Sequence, residues 1–181
     1  MNIFDFQLMK QNMQKISMVT CYDYWSAQII SQSNIDCILV GDSAAMVMHG
    51  HKTTLPATTD MMIQHCEAVV KGAPNKFIIG DMPFCSYRKG LEHTMDAIDG
   101  IMKVGCHAIK LEGAGDNVPV ISHIVQSGVP VMGHLGLTPQ SVHALGGFKV
   151  QGKTQNAADE ILKQAQSLQD AGCFAIVLEC V

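Results

Sequence analysis

Short apolar runs recur along the whole chain, each closed by a glycine or a charged residue and separated from the next by a longer stretch of helical period. Residues 17–22, SMVTCY, begin the series, with Asp23 at the end. Residues 37–40, CILV, are too few for a helix and predict a buried strand; Gly41 ends it, and Asp42 and Ser43 follow at once. The pattern repeats at 77–80, FIIG, followed by Asp81, and at 108–112, AIKLE, where alternation puts Lys110 and Glu112 on one face. A fifth strand is expected over 129–132 with His134 just beyond it, and a sixth, AIVLE, over 175–179.

The intervening segments predict helices. Residues 24–32 form the first. Thr59 is a plausible cap for 59–71, whose Met62, Cys66, Val69 and Val70 share a face, and Gly72 and Pro74 stop it. Residues 91–104 turn Leu91, Met95, Ile98 and Met102 inward; 117–127 carry Pro119 near the start; 157–170 present Ala158, Ile161, Leu162, Ala165 and Leu168. Two long connections remain. Residues 49–58 are long enough to be functional, and 135–153, rich in glycine, are a candidate lid.

An internal echo supports this division. GCHAIKLE at 105–112 and GCFAIVLE at 172–179 agree at six of eight positions, 67 residues apart, an interval of two strand-helix units. Six strands alternating with helices require parallel pairing and right-handed crossovers, as in an open doubly wound sheet or a (β/α)8 barrel. Asp or Ser after a strand often only caps the next helix. Here, though, every strand end carries a polar group: Asp23, Asp42, Asp81, Lys110 with Glu112, His134 and Glu179. A barrel gathers all such ends at one mouth, whereas an open sheet gathers only those at its switch point, so the barrel is favoured.

That set suits proton removal beside a ketone. Carboxylates from Asp42, Asp81 and Glu112 can hold a hard divalent cation such as Mg2+. Lys110 and His134 can bind an anionic substrate or polarise a carbonyl, and Glu179 is left as a general base. A cation chelated by a 2-oxo acid would stabilise the enolate. Other signals are weaker: Gly113-Ala114-Gly115 lacks the third glycine of a dinucleotide loop, and His49 and His51 are more simply solvated or substrate-contacting than metal ligands. His65, His93, His107, His123 and His143 are expected to be structural or exposed. Tyr22, Tyr24 and Trp25 are expected to pack a helix on the sheet.

Composition narrows the class. The 181 residues are 48% hydrophobic and only 15% charged, which suggests a core-heavy α/β protein whose surface is partly covered in a homo-oligomer. With 12 basic against 16 acidic side chains and no basic run, a nucleic-acid partner is not expected. The N-terminus lacks the pattern of a signal peptide and no apolar run reaches a membrane span, so a cytoplasmic location is expected. Seven cysteines, an odd number with no CxxC pair, are expected to be reduced and structural.

The segments VGDSAAMVMHGHKTTLPAT, GDMPFCSY, IKLEGA, VPVMGHLGLTPQSVHALGGFKVQGK and LEC, in this order and spacing, resemble the ketopantoate (3-methyl-2-oxobutanoate) hydroxymethyltransferase family from about Ile16 onward. The resemblance implies a (β/α)8 barrel in a cytoplasmic homodecamer. It also implies transfer of a hydroxymethyl group from methylene-tetrahydrofolate to 3-methyl-2-oxobutanoate, giving 2-dehydropantoate for pantothenate synthesis. By position, Asp42 and Asp81 match the Mg2+ ligands and Glu112 the third metal-associated carboxylate. Asp42, Ser43, Asp81 and Lys110 match the oxo-acid contacts, His134 lies beside the substrate, and Glu179 matches the proton acceptor. Ala45 replaces a frequent glycine. Relatives continue for roughly two more strand-helix units, as eight strands require, so residues 1–181 are expected to form a single barrel domain, C-terminally incomplete after about six units. Two other readings stay open: another Mg2+-dependent 2-oxo-acid aldolase or lyase on the same barrel, and a non-catalytic fragment of the transferase.

Overall fold

The structure, a computed structural model, describes residues 1–181. It is an α/β protein whose strands run parallel, each with its sequence neighbour as partner in the sheet. Two compact units are distinguished, Met1–Ile109 and Lys110–Val181. No helix is long and apolar enough to cross a membrane.

The first unit contains α1 (Ile3–Gln11), β1 (Met18–Thr20), α2 (Tyr24–Ser31), β2 (Cys37–Val40), α3 (Ala44–Val47), α4 (Thr59–Gly72), β3 (Phe77–Asp81) and α5 (Leu91–Lys103). In register, Val19 lies opposite Ile38, Ile38 opposite Ile78, and Val40 opposite Gly80. Every residue of β2 and β3 is buried, as continuous apolar strands covered on both faces must be. Each buried aliphatic side chain here, Ile38, Ile78 and Ile79 among them, contributes about 1.5–3 kcal/mol of transfer free energy. Asp23 serves as the cap of α2, accepting from Ser26 N–H at 2.9 Å, so the first strand-end acid is accounted for locally.

Several sequence expectations shift here. The cap of α4 is Thr58, which accepts from Met61 N–H at 3.1 Å, rather than Thr59. Gly72 does not terminate α4 by turning left-handed. A side chain there would run into Tyr24 O and stand 2.7 Å from Ala27 Cβ, so glycine lets α2 and α4 meet. The buried stripe of α5 is Thr94, Ala97, Ile98 and Ile101, while Leu91 is exposed and Met95 and Met102 are only half-buried. The period is as expected but the stripe is rotated, Ile98 and Ile101 filling it beside the smaller Thr94 and Ala97. A Cβ at Gly100 would touch Ile63 Cδ1, and one at Gly80 of β3 would touch Ile101 Cγ2, each at 2.5 Å. Tyr24 and Trp25 do not pack on the sheet, Trp25 being 66% exposed.

β4 (Ala108–Glu112) leads from the first unit into the second, which continues with α6 (Val118–Gln126), β5 (Val131–Gly136), α7 (Gln155–Asp170) and β6 (Ala175–Glu179). β5 starts two residues later than expected and runs through His134 to Gly136, so His134 lies within the strand. Pro130, which has no N–H for the ladder, stands immediately before it. β5 pairs with β6, His134 lying opposite Val177 and Gly136 opposite Glu179. The core of this unit includes Leu111, Ile121, Ile124, Leu135 and Leu168; Leu162 of α7 is 71% exposed instead of inward.

The internal echo is structural. Gly105 and Gly172 both end a helix in the left-handed region, at φ 106° and 97°. A Cβ on Gly105 would stand 2.8 Å from Val70 Cγ1, and one on Gly172 would stand 2.8 Å from Val125 Cγ1, a valine of the preceding helix each time. Two residues on, His107 N–H donates to Ile78 O at 2.8 Å and Phe174 N–H to Val131 O at 3.0 Å. The same residues thus make the same helix-to-strand joint twice.

Candidate active site

The first unit brings Asp42, Ser43 and Asp81 together. β2 and β3 end level, and Asp42 N–H donates to Asp81 Oδ2 at 3.2 Å. Both carboxylates are buried, at 4% and 1% exposure. Burial of two acids at adjacent strand ends is costly without compensating charge or hydrogen bonds, so it marks a site more than a structural filler.

Ser43 decides between cap and site. It occupies the residue before α3 but makes no side-chain capping bond. Its Oγ lies 2.8 Å from Tyr22 Oη instead, and above Gly41, where a Cβ would come within 2.7 Å of that oxygen. Gly41 therefore makes room for the hydroxyl. The chain at Tyr22 is itself held: His65 Nδ1 stands 2.6 Å from Tyr22 O, and His65 Nε2 stands 2.9 Å from His49 Nε2. Since a carbonyl only accepts, Nδ1 of His65 carries the proton. His49 is exposed, as expected, and this contact also ties it to α4.

The second unit brings Lys110, Glu112, His134 and Glu179 together. Lys110 and Glu112 are buried on one face of β4, as alternation predicted. His134 stands among the others. Its Nδ1 is 3.3 Å from Lys110 Nζ and 3.4 Å from Glu112 Oε1, and its Nε2 is 3.2 Å from Glu179 Oε2. Glu112 and His134 are 3% exposed, whereas Glu179 is 39% exposed, the open end of the group.

Two residues that sequence reasoning missed hold Glu112. Gln140 N–H donates to its Oε2 at 3.0 Å, and Asn117 Nδ2 donates to its main-chain oxygen at 2.9 Å. The LTPQ segment is thereby fixed against the carboxylate. The candidate lid is fastened elsewhere too, Leu137 N–H donating to Glu179 O and Gln151 N–H to Cys180 O, each at 2.8 Å. Only Pro139 beside Gln140 hinted at such a turn.

Oxygen-only donors from Asp42 and Asp81 fit a hard cation, which takes one or two carboxylates and fills its remaining positions with water and substrate oxygens. No three His, Cys, Asp or Glu side chains close into a metal cage. All seven cysteines are free. Burial pushes the Cys37 thiol up to about 12 and Cys173 to about 11, and the hydrogen bond to Cys106, with burial, raises Cys66.

A model of the ketopantoate hydroxymethyltransferase family matches residues 1–181. The chain belongs to that family. It is 66% identical over 182 residues to the 3-methyl-2-oxobutanoate hydroxymethyltransferase of Coxiella burnetii, an alignment covering 100% of this chain and 68% of the relative. Among solved structures, it resembles 2,3-dimethylmalate lyase, of the PEP mutase/isocitrate lyase superfamily, with TM-score 0.69 at 16% identity, over 98% of this chain and 62% of that one. It also resembles phosphonopyruvate hydrolase in complex with oxalate and Mg2+, with TM-score 0.73 at 11% identity, over 99% of this chain and 63% of that one. At these identities the structural likeness speaks to fold alone. The family assignment rests on the sequence matches.

Proposed function

We propose that this chain carries the chemistry of hydroxymethyl transfer from methylene-tetrahydrofolate to 3-methyl-2-oxobutanoate, giving 2-dehydropantoate and tetrahydrofolate. The observation that supports it most is the pair of neighbouring, buried carboxylates of Asp42 and Asp81 at the ends of β2 and β3. In this reading they hold Mg2+, with Glu112 joining directly or through water. The bound cation supplies positive charge at the keto and carboxylate oxygens of the substrate.

The chain's own residues do the rest. Ser43 and Lys110 bind the oxo acid, and Asp42 and Asp81 border it. Glu179 takes the C3 proton at a carboxylate oxygen. His134 Nε2, 3.2 Å from Glu179 Oε2, stands where it can receive that proton or return it. The carbon electron pair released by C3–H cleavage forms the new bond to the folate-borne carbon and one water supplies the hydroxyl oxygen of the product, while both C–N bonds from that carbon to the folate break and the two folate nitrogens take up the proton lost from C3 and one proton of the water, leaving tetrahydrofolate. The six strand-helix units, in this reading, belong to a (β/α)8 barrel domain, incomplete across residues 1–181, in a cytoplasmic homo-oligomer, a decamer in the family.

The first step can be tested alone. With Mg2+ and 3-methyl-2-oxobutanoate in deuterated water, the C3 proton should disappear from the NMR spectrum without folate, and chelation should stop the loss. Product should then require methylene-tetrahydrofolate. Exchange with no folate-dependent product would favour an aldolase or lyase; a folded chain that binds the oxo acid but gives no exchange would refute the catalytic reading.

A further inference from the structure

Tyr22 lies just beyond β1 and its phenol meets Ser43 Oγ at 2.8 Å. A hydroxyl has one proton and two lone pairs, so this contact takes one of two forms. Either Ser43 spends its proton on Tyr22, or Tyr22 donates and the seryl proton stays available. A phenolic O–H is the stronger donor of the two. Around it the structure leaves Ser43 little choice of position. Its oxygen makes no bond to the start of α3, and it occupies the space left by Gly41, whose absent Cβ would stand 2.7 Å away. The main chain that carries the phenol is held in turn, since His65 donates to the backbone carbonyl of Tyr22 from α4 at 2.6 Å.

We infer that Tyr22 is a positioning residue for Ser43: its phenol donates to Ser43 Oγ, so that the seryl proton points at an anionic oxygen of the 2-oxo acid. This rests on the reading above that Ser43 contacts the oxo acid. The role differs from helix packing, because only the phenolic oxygen is needed. The ring can remain.

The test is a cycle of Tyr22→Phe, Ser43→Ala and the double variant, reading the dissociation constant of 3-methyl-2-oxobutanoate by calorimetry beside KM and kcat. Tyr22→Phe should weaken binding about five-fold, the worth of one neutral hydrogen bond, and leave kcat within about two-fold. In the Ser43→Ala background it should add nothing. Equal weakening with and without the seryl hydroxyl, or no weakening at all where Ser43→Ala does weaken binding, overturns the inference. If Ser43→Ala itself leaves binding unchanged, the underlying assignment of Ser43 fails instead, and the inference with it. Gly41→Ala displaces the same oxygen with Tyr22 intact, and should also raise the dissociation constant; its failure to do so counts against the proposed alignment even if Tyr22→Phe does not fold.

Discussion

Replacing Gly41 by alanine probes Ser43 with little else disturbed. The new Cβ would stand 2.7 Å from Ser43 Oγ, well inside contact distance, while its next neighbours, Ser43 N at 3.8 Å and Ser43 Cβ at 3.9 Å, are at ordinary separation. Gly41 is not among the glycines with left-handed φ, so alanine imposes no backbone strain there. The clash is therefore relieved by swinging the hydroxyl, which breaks its 2.8 Å contact with Tyr22 Oη. A lost hydrogen bond costs about 0.5–1.5 kcal/mol and an off-rotamer side chain a similar amount, against about 0.4–1 kcal/mol gained by restricting the unfolded chain. A net loss of roughly 1 kcal/mol follows. Urea midpoints of Gly41→Ala, Ser43→Ala and the double variant measure it. Without the hydroxyl there is nothing to strike, so Gly41→Ala should be neutral or stabilising on the Ser43→Ala background. An equal cost on both backgrounds would refute the assignment of Gly41 as the space for Ser43.

Four other outcomes follow from the structure. Gly72→Ala should destabilise by about 1–3 kcal/mol or more, since the obstacles are the main chain of α2 and Ala27 rather than a flexible side chain; a urea midpoint at or above that of the parent would contradict the close packing of α2 on α4. Thr54 is buried with no partner for its hydroxyl, so Thr54→Val should raise the midpoint, and a fall would show that oxygen engaged. Ser17 N–H and Oγ, each 2.7 Å from Asp36 Oδ2, hold the Asp36 carboxyl below the ordinary carboxylate range. A depressed folded pKa stabilises above the unfolded value near 4 and is lost as pH falls through the folded one, so Asp36→Asn should flatten the midpoint's decline below about pH 4; an unchanged slope would remove Asp36 from it. Glu179→Gln should slow C3 exchange about 10²- to 10⁴-fold with oxo-acid binding retained, and unaltered exchange would end its role as base.

The alternation of apolar runs with helical periods is enough to recover all six strands and most helices, and the signature is most continuous in β2, β3 and β4, which are buried throughout, whereas β1 and β6 are partly exposed. What escaped had a different cause in each case. α1 carries its signal openly: Asn2 accepts from Phe4 N–H at 2.8 Å and Asp5 accepts from Asn2 N–H at 2.7 Å, a capping box written as Asn-x-x-Asp, but its apolar residues form no regular stripe, only Phe6 being buried. On α5 the expected and the buried stripes share only Ile98: Thr94, Ala97 and Ile101 complete the buried one, while Leu91 is exposed, because size alone does not tell which side of a helix meets its neighbours. β5 begins later than its apolar run because Pro130 has no N–H to give the ladder, even though Val129 and Pro130 are apolar.

The candidate site was legible for the reason that made it implausible as core. Lys110 and Glu112 sit in an apolar strand where ionised groups are expensive, and Asp42 and Asp81 end buried strands in the same costly way. Such residues contradict the local pattern, and a chain that keeps them must offset the cost with partners. Each unit does so with its own set: Asp42 N–H on Asp81, and His134 set among Lys110, Glu112 and Glu179. The supporting groups are harder to see. Tyr22 and Gln140 obey every local rule, and Gln140 acts through its main-chain N–H, which every residue but proline possesses. Side-chain chemistry can be read from a sequence, but a backbone donor gains a role only when the fold aims it. Replacing Gln140 by another non-proline residue would therefore leave the bond to Glu112 in place, whereas removing Glu112's carboxylate would leave that N–H buried and unsatisfied.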